Sequence, residues 1–258
     1  MTLILTHISK HGIIHASDSN LTMASGKKAS CEGKKTFKID YLNAGLTLAG
    51  AYSVSGMRMD QWMDKFISEQ SSKHITSLSY FVSNLKNEIE QQMTAYEKNL
   101  GSMIHIAGYV KERNRSHPEF WFVRNVNGID SKTGEYSGIS SVFSLSEDFW
   151  ARDCPKSNLI EAFQTGAYMI YINGFSSGRM GFNHLQYVLN QFYQQIWQNP
   201  AWKFRPPNSL DESELLVKIN MQIVGTLFTM SNYPAPYIGG DIQTFTIPCP
   251  ANIVTSSH

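Results

Sequence analysis

From its second residue the chain alternates short apolar runs with polar breaks. Residues 2–8 (TLILTHI) have the β-branched and apolar content of a strand, Ser9-Lys10-His11-Gly12 has turn chemistry, and residues 13–17 (IIHAS) predict a return strand. A β-hairpin therefore opens the chain. After a polar loop, residues 36–40 and 45–51 predict two more strands, the second ending in Ala49-Gly50-Ala51, where backbone can approach a ligand closely. Helical spacing then takes over. Met59, Trp62, Met63 and Phe66 share a face of one helix, and Leu78, Phe81, Val82, Leu85 and Ile89 share a face of a second, capped by Thr76 or Ser77.

Strand patterns return at 103–110, 119–125, 136–145 and 168–172, with Asn127-Gly128 as a turn signal. A helix from about 183 to 197 places Leu185, Val188, Leu189, Phe192 and Ile196 at helical spacing, and another runs from about 211 to 230. A strand at 241–247 is halted by Pro248 and Pro250. Helices paired between groups of strands predict an α+β layered sandwich. Thr255-Ser256-Ser257 predicts a disordered tail over 251–258, and there is no repeat of solenoid period.

The 258 residues, 42% of them hydrophobic, suit a single domain spanning 1–258. Lys and Arg number 22 against 21 acidic residues, so the net charge of +1 provides no field to gather nucleic acid or an anionic membrane. Cys31, Cys154 and Cys249 are odd in number and widely spaced, which argues against a disulfide framework or a thiolate metal site and for a reducing cytoplasm. The opening Leu3-Ile4-Leu5 is too short for the core of a signal peptide, so a soluble cytoplasmic protein without cofactor or metal is expected. His7, His11 and His15 alternate across the hairpin without a carboxylate cluster and read as ordinary histidines. Lys27, Lys28, Lys34 and Lys35 read as a solvated loop face, Lys35 excepted, and Trp197 and Trp202 decide nothing.

Three features carry a resemblance. Thr2 opens the first strand, Gly12-Ile13-Ile14-His15-Ala16-Ser17-Asp18-Ser19 ends with an Asp sixteen residues after Thr2, and Lys34-Lys35-Thr36-Phe37-Lys38-Ile39 precedes a short strand. In this order they resemble the opening of a proteasome β-subunit, most closely in the style of divergent bacterial proteasome-related proteins. The resemblance covers roughly residues 2–67. It implies the N-terminal-nucleophile (Ntn) hydrolase fold, a four-layer αββα sandwich of two antiparallel sheets. It also implies a threonine peptidase whose nucleophile is Thr2 once Met1 is removed, with no propeptide to cut.

By the same resemblance Asp18 would pair with Lys35, Gly50 of Ala49-Gly50 would supply an oxyanion N–H, and Leu48 would face the substrate pocket. Lys34 fits the commoner spacing by count, and Ser19, Ser176 and Ser177 are weaker candidates for the family's serine positions. The implied partners are a peptide or unfolded protein substrate, further copies of the chain, and an ATPase unfoldase. The family's distal Asp-x-x-Ser-Gly-Gly is met here by Ala235-Pro236-Tyr237-Ile238-Gly239-Gly240, so its Asp and Ser are replaced. That departure keeps two alternatives open: a catalytically silent scaffold of the same fold, and a small-molecule amidase.

The chemistry needs these residue types. A threonine hydroxyl is a poor nucleophile near neutrality and requires a base within hydrogen-bond reach. A free α-amine, with a reference pKa of roughly 7.7–8.0, can serve, and a neighbouring ammonium lowers it further. A buried lysine in turn requires a carboxylate partner.

Overall fold

The computed structural model describes residues 2–22, 28–112, 115–130, 136–147, 168–232 and 237–251, with side chains described throughout except at 28–31, 115, 129 and 176–181. Among these residues the chain is α+β, with five α-helices and antiparallel sheets. The opening hairpin is present as β1 (Leu3–Ser9) and β2 (Gly12–Asp18), turning at Lys10 and His11. β12 (Met169–Gly174) pairs with β1 and β13 (Ile242–Pro248) pairs with β2, giving a four-stranded sheet in the order β12-β1-β2-β13.

A five-stranded sheet combines β5 (Thr36–Ile39), β6 (Ala44–Gly50), β9 (Ser102–Glu112), β10 (Arg115–Ile129) and β11 (Tyr136–Glu147) in the order β11-β10-β9-β6-β5. Two short ribbons, β3 (Asn20–Thr22) with β4 (Lys28–Glu32) and β7 (Ser53–Val54) with β8 (Met57–Arg58), complete the strands. The predicted polar loop after the hairpin is thus partly a ribbon. Asn127-Gly128 is not a turn: Gly128 pairs with Ser137 inside the β10–β11 ladder, which absorbs a register shift between Arg124 and Val126. Ladder pairing there overrides the local turn chemistry of Asn-Gly.

The apolar faces read from the helical spacing at 59–66 and 78–89 are buried, whereas Val188 and Phe192 of the set read at 185–196 are exposed. On α1 (Met59–Ser72) and α2 (Leu78–Gln92), Met59, Trp62, Met63, Phe66, Phe81, Leu85 and Ile89 cluster with Phe37, Leu46, Leu48, Ile104 and Ile106 of the five-stranded sheet. Ser77 caps α2 by accepting the Tyr80 N–H. A five-residue helix, α3 (Ala95–Asn99), follows with a Thr94–Glu97 capping box.

On the other side, Phe182 of α4 (Ser176–Gln198) and Val217, Met221, Val224 and Phe228 of α5 (Leu210–Thr229) pack on Leu3, Leu5, Ile14 and Ala16. A third cluster fills the space between the sheets, where Ile8, Ile13, Tyr171 and Ile247 meet Met103, Ala107, Phe120 and Phe122. Strand alternation therefore sorts β1: Leu3 and Leu5 face α4 and α5, and Ile8 faces the other sheet. Of the expected tail, 252–258 lie outside the described residues, as do Met1, Lys27, Cys154, Ala235 and Pro236. Among the described residues no helix is long and apolar enough to cross a membrane.

Candidate active site

Thr2 immediately precedes β1 and is held by its main chain. Its carbonyl accepts the Phe175 N–H at 2.8 Å, and Gly174, at φ +120°, lies so close that a Cβ there would stand 1.9 Å from the Thr2 oxygen. Only glycine allows β12 to end against Thr2 in this way. The Thr2 side chain meets Lys35, whose Nζ lies 2.8 Å from Thr2 Oγ1. The Lys35 amine also reaches Asp18 Oδ1 at 3.4 Å and donates to the Asn20 carbonyl at 2.5 Å. Thr2, Asp18 and Lys35 are 4%, 0% and 1% exposed.

Each partner is positioned from a different direction. Asp18 closes β2 and accepts the Leu3 N–H on Oδ1 at 2.9 Å and the Gly239 N–H on Oδ2 at 3.3 Å. Lys35 precedes β5; its carbonyl accepts the Leu48 N–H at 3.0 Å and its own N–H is received by Gln243 Oε1 at 2.8 Å. Gln243, from β13, also donates to the Gly33 carbonyl at 2.8 Å and so clamps both sides of Lys34. The carboxylate is therefore held by backbone N–H groups, and the lysine by backbone together with the Gln243 side chain.

Burial governs the electrostatics. It pushes the Asp18 carboxyl above its ordinary range and pulls the Lys35 amine below its own, while their mutual attraction opposes both shifts. An amine that donates to a hydroxyl oxygen at 2.8 Å can stabilise the charge this oxygen gains when its proton leaves. The Tyr136 phenol is also pushed well above its usual value, chiefly by burial and then by the Asp18 charge.

The other sequence candidates separate clearly. Lys34 is half-exposed and pairs with Asp64 at 2.8 Å, so Lys35 is the lysine beside Thr2. Ser19 donates to Glu32 Oε2 at 2.5 Å and accepts the Asp241 N–H at 2.8 Å; the first bond ties the end of β2 to β4 and the second ties it to the start of β13. Gly50 ends β6 at φ +105°, with a Cβ position only 2.1 Å from the Gly101 carbonyl, so no other residue fits there without moving backbone. Leu48, expected at a substrate pocket, is instead 2% exposed within the cluster under α1 and α2. Strand alternation points its side chain at the helices. Ser176 and Ser177 open α4, and their side chains lie outside the described residues.

Three contributors are not singled out from the sequence: the Asn20 carbonyl, the Gln243 side chain and the Gly174 backbone. Gly239, noted only as part of a divergent motif, donates to Asp18 and accepts the Asn20 N–H at 3.1 Å. Among the described residues no group of three or more His, Cys, Asp or Glu side chains converges as a metal site would require. A cavity lies elsewhere, between β1, α4 and α5, lined by His7 and Leu5 rather than by Thr2.

No protein-family model matches the chain, and no curated protein matches it in sequence.

Proposed function

We propose that this chain is a proteasome-type N-terminal threonine hydrolase, with the αββα sandwich of the Ntn hydrolases and Thr2 as nucleophile after loss of Met1. The observation that carries the reading is the 2.8 Å contact between Lys35 Nζ and Thr2 Oγ1, completed by Asp18 in a buried setting. Two antiparallel sheets packed against each other, with α1 and α2 outside one and α4 and α5 outside the other, are in keeping with that sandwich.

In the proposed reaction the Thr2 hydroxyl loses its proton to the freed α-amine, with Lys35 lowering the cost of the alkoxide, and Oγ1 attacks a peptide carbonyl. The carbonyl oxygen becomes an oxyanion received by the Gly50 N–H; one such donor is typically worth about 2.7–4 kcal/mol. Collapse expels the leaving amine, which takes the proton, and leaves an ester on Thr2. Water then attacks the ester, and the hydroxyl is restored. Asp18 keeps Lys35 in place and supplies its counter-charge.

The proposal extends to a homo-oligomer acting on peptides or unfolded proteins in the cytoplasm, with an ATPase unfoldase as a partner. Exposed Tyr187, Val188 and Phe192 on α4 and Leu215, Ile219 and Leu227 on α5 support self-association, since apolar side chains gathered on an outer helical face favour contact with another copy.

One observation favours a second reading. Thr2 is 4% exposed, as would suit a silent scaffold that kept the interior polar cluster for assembly alone. Hydrolysis of a mixed library of peptide amides by wild type, Thr2→Ala and Thr2→Ser decides between them. Hydrolysis lost by about a thousandfold in Thr2→Ala and partly retained in Thr2→Ser is expected, and equal rates in wild type and Thr2→Ala reject the enzyme.

A further inference from the structure

We propose that the cavity enclosed by β1, α4 and α5 is a binding site for a small uncharged aromatic molecule carrying an N–H or O–H donor. Its volume of ≈ 330 Å³ lies at the small end of ligand cavities, which span about 300–1,000 Å³. The walls are apolar and aromatic: Leu5 from β1, Phe182, Tyr193 and Trp197 from α4, and Leu216 and Val217 from α5. Tyr193 and Trp197 stack at 5.2 Å, and His7 lies 5.4 Å from the Tyr168 ring, so flat surfaces face the space.

The polar groups form a ladder with one open end. Asn190 Nδ2 donates to the Tyr168 hydroxyl at 3.3 Å, Gln186 Nε2 donates to Asn190 Oδ1 at 2.9 Å, and Asn220 Nδ2 donates to Gln186 Oε1 at 3.0 Å. The ladder ends at Asn220 Oδ1, which is buried and has no hydrogen-bond partner among the described residues, and His7 Nδ1 is in the same condition. Asn220 is 3% exposed and His7 9% exposed, and both line the cavity. Buried acceptors are ordinarily satisfied, so an orphaned carbonyl on the wall of an apolar cavity selects a ligand that brings a donor.

Charge selects a neutral ligand. Burial lowers the His7 pKa to about 4, which leaves the ring uncharged near neutrality. The one lysine of the lining, Lys10, is itself exposed. Among the described residues no buried cation or carboxylate lines the space, and an ion taken there would lose its hydration without a partner among them. The site is separate from the Thr2 chemistry, because alternation along β1 turns Leu5 and His7 toward the helices, while Thr6 bonds to His15 and His105 between the sheets.

Indole and 1-methylindole, which differ in the single donor, test the assignment by saturation-transfer NMR on the full chain. Wild type is expected to bind indole saturably and 1-methylindole about tenfold more weakly. Asn220→Leu should bind the two compounds equally, and Leu216→Trp, which fills the cavity from a half-buried position, should bind neither; a cooperative thermal transition verifies that each variant is folded. The proposal is overturned by absence of saturable indole binding in wild type, by equal binding of the two compounds to wild type, or by unchanged indole binding in Leu216→Trp.

Discussion

The two faces of β1 hold polar groups in opposite ways. On the side toward the five-stranded sheet, Thr6 Oγ1 lies 3.3 Å from His15 Nδ1 and 3.2 Å from His105 Nδ1, His15 Nε2 reaches the Ala107 carbonyl at 3.4 Å, and Asn173 Nδ2 meets His105 Nε2 at 2.8 Å. One set of tautomers satisfies them all: Asn173 donates to His105, His105 to Thr6, Thr6 to His15 and His15 to Ala107. On the side toward α4 and α5, His7 Nδ1 and Asn220 Oδ1 have no such partners. A strand can thus carry a closed polar network on one face and an open one on the other. The closed face rigidifies the strands that present Thr2, and the open face is free to receive a ligand.

The largest expected effect comes from breaking the closed side at its charged end. Lys35→Met leaves Asp18 buried without its cation and should destabilise the fold by about 3–5 kcal/mol, read from urea unfolding. Adding Asp18→Asn should recover most of that loss, because Asn still accepts from the Leu3 or Gly239 N–H. No recovery in the double variant would mean that Lys35 contributes through packing rather than charge.

A smaller contrast separates two asparagines. Asn173→Leu orphans the buried His105 Nε2 and should cost about 1–3 kcal/mol, whereas Asn220→Leu removes an acceptor that is already orphaned and deprives only the part-buried Gln186 Oε1 of a donor, so it should cost less, about 1 kcal/mol. Equal losses in urea midpoint would erase the distinction between the faces.

Acid sharpens the same comparison. Burial lowers the pKa of His15 to about 3 and that of His7 to about 4, from the ordinary 6.5 of an imidazole. Below pH 6.5 the unfolded chain therefore binds protons that the folded chain refuses, and stability falls as pH drops toward those values. Each such histidine contributes a slope of about 1.4 kcal/mol per pH unit. His15→Gln should make the decline of urea-unfolding stability between pH 6 and 5 shallower by about that amount, and an unchanged slope would show that His15 does not stay neutral when folded.

What could be read from the sequence follows the range of the interactions. The β1–β2 hairpin and the apolar faces of α1 and α2 depend on neighbouring residues or on a short, regular spacing, while the choice of Lys35 over Lys34 rests on the resemblance, against the commoner spacing. Gln243 could not be read in this way, because it reaches Lys35 across 208 positions and owes its place to the β13–β2 pairing. Gly239 comes to Asp18 across 221 positions by the same route. The start of α4 was placed late, near residue 183, because Gly178 and Gly181 obscure the helical signal that begins at Ser176. Leu48 was placed toward substrate by resemblance alone, and strand alternation turned it into the core.

The central claim is that Thr2 is an N-terminal nucleophile, and intact-mass spectrometry of the purified protein before and after incubation with a β-lactone tests it most directly. The expected result is a mature chain beginning at Thr2 that gains one acyl adduct on that residue and none in Thr2→Ala. A chain that retains Met1 throughout and stays unmodified would contradict it.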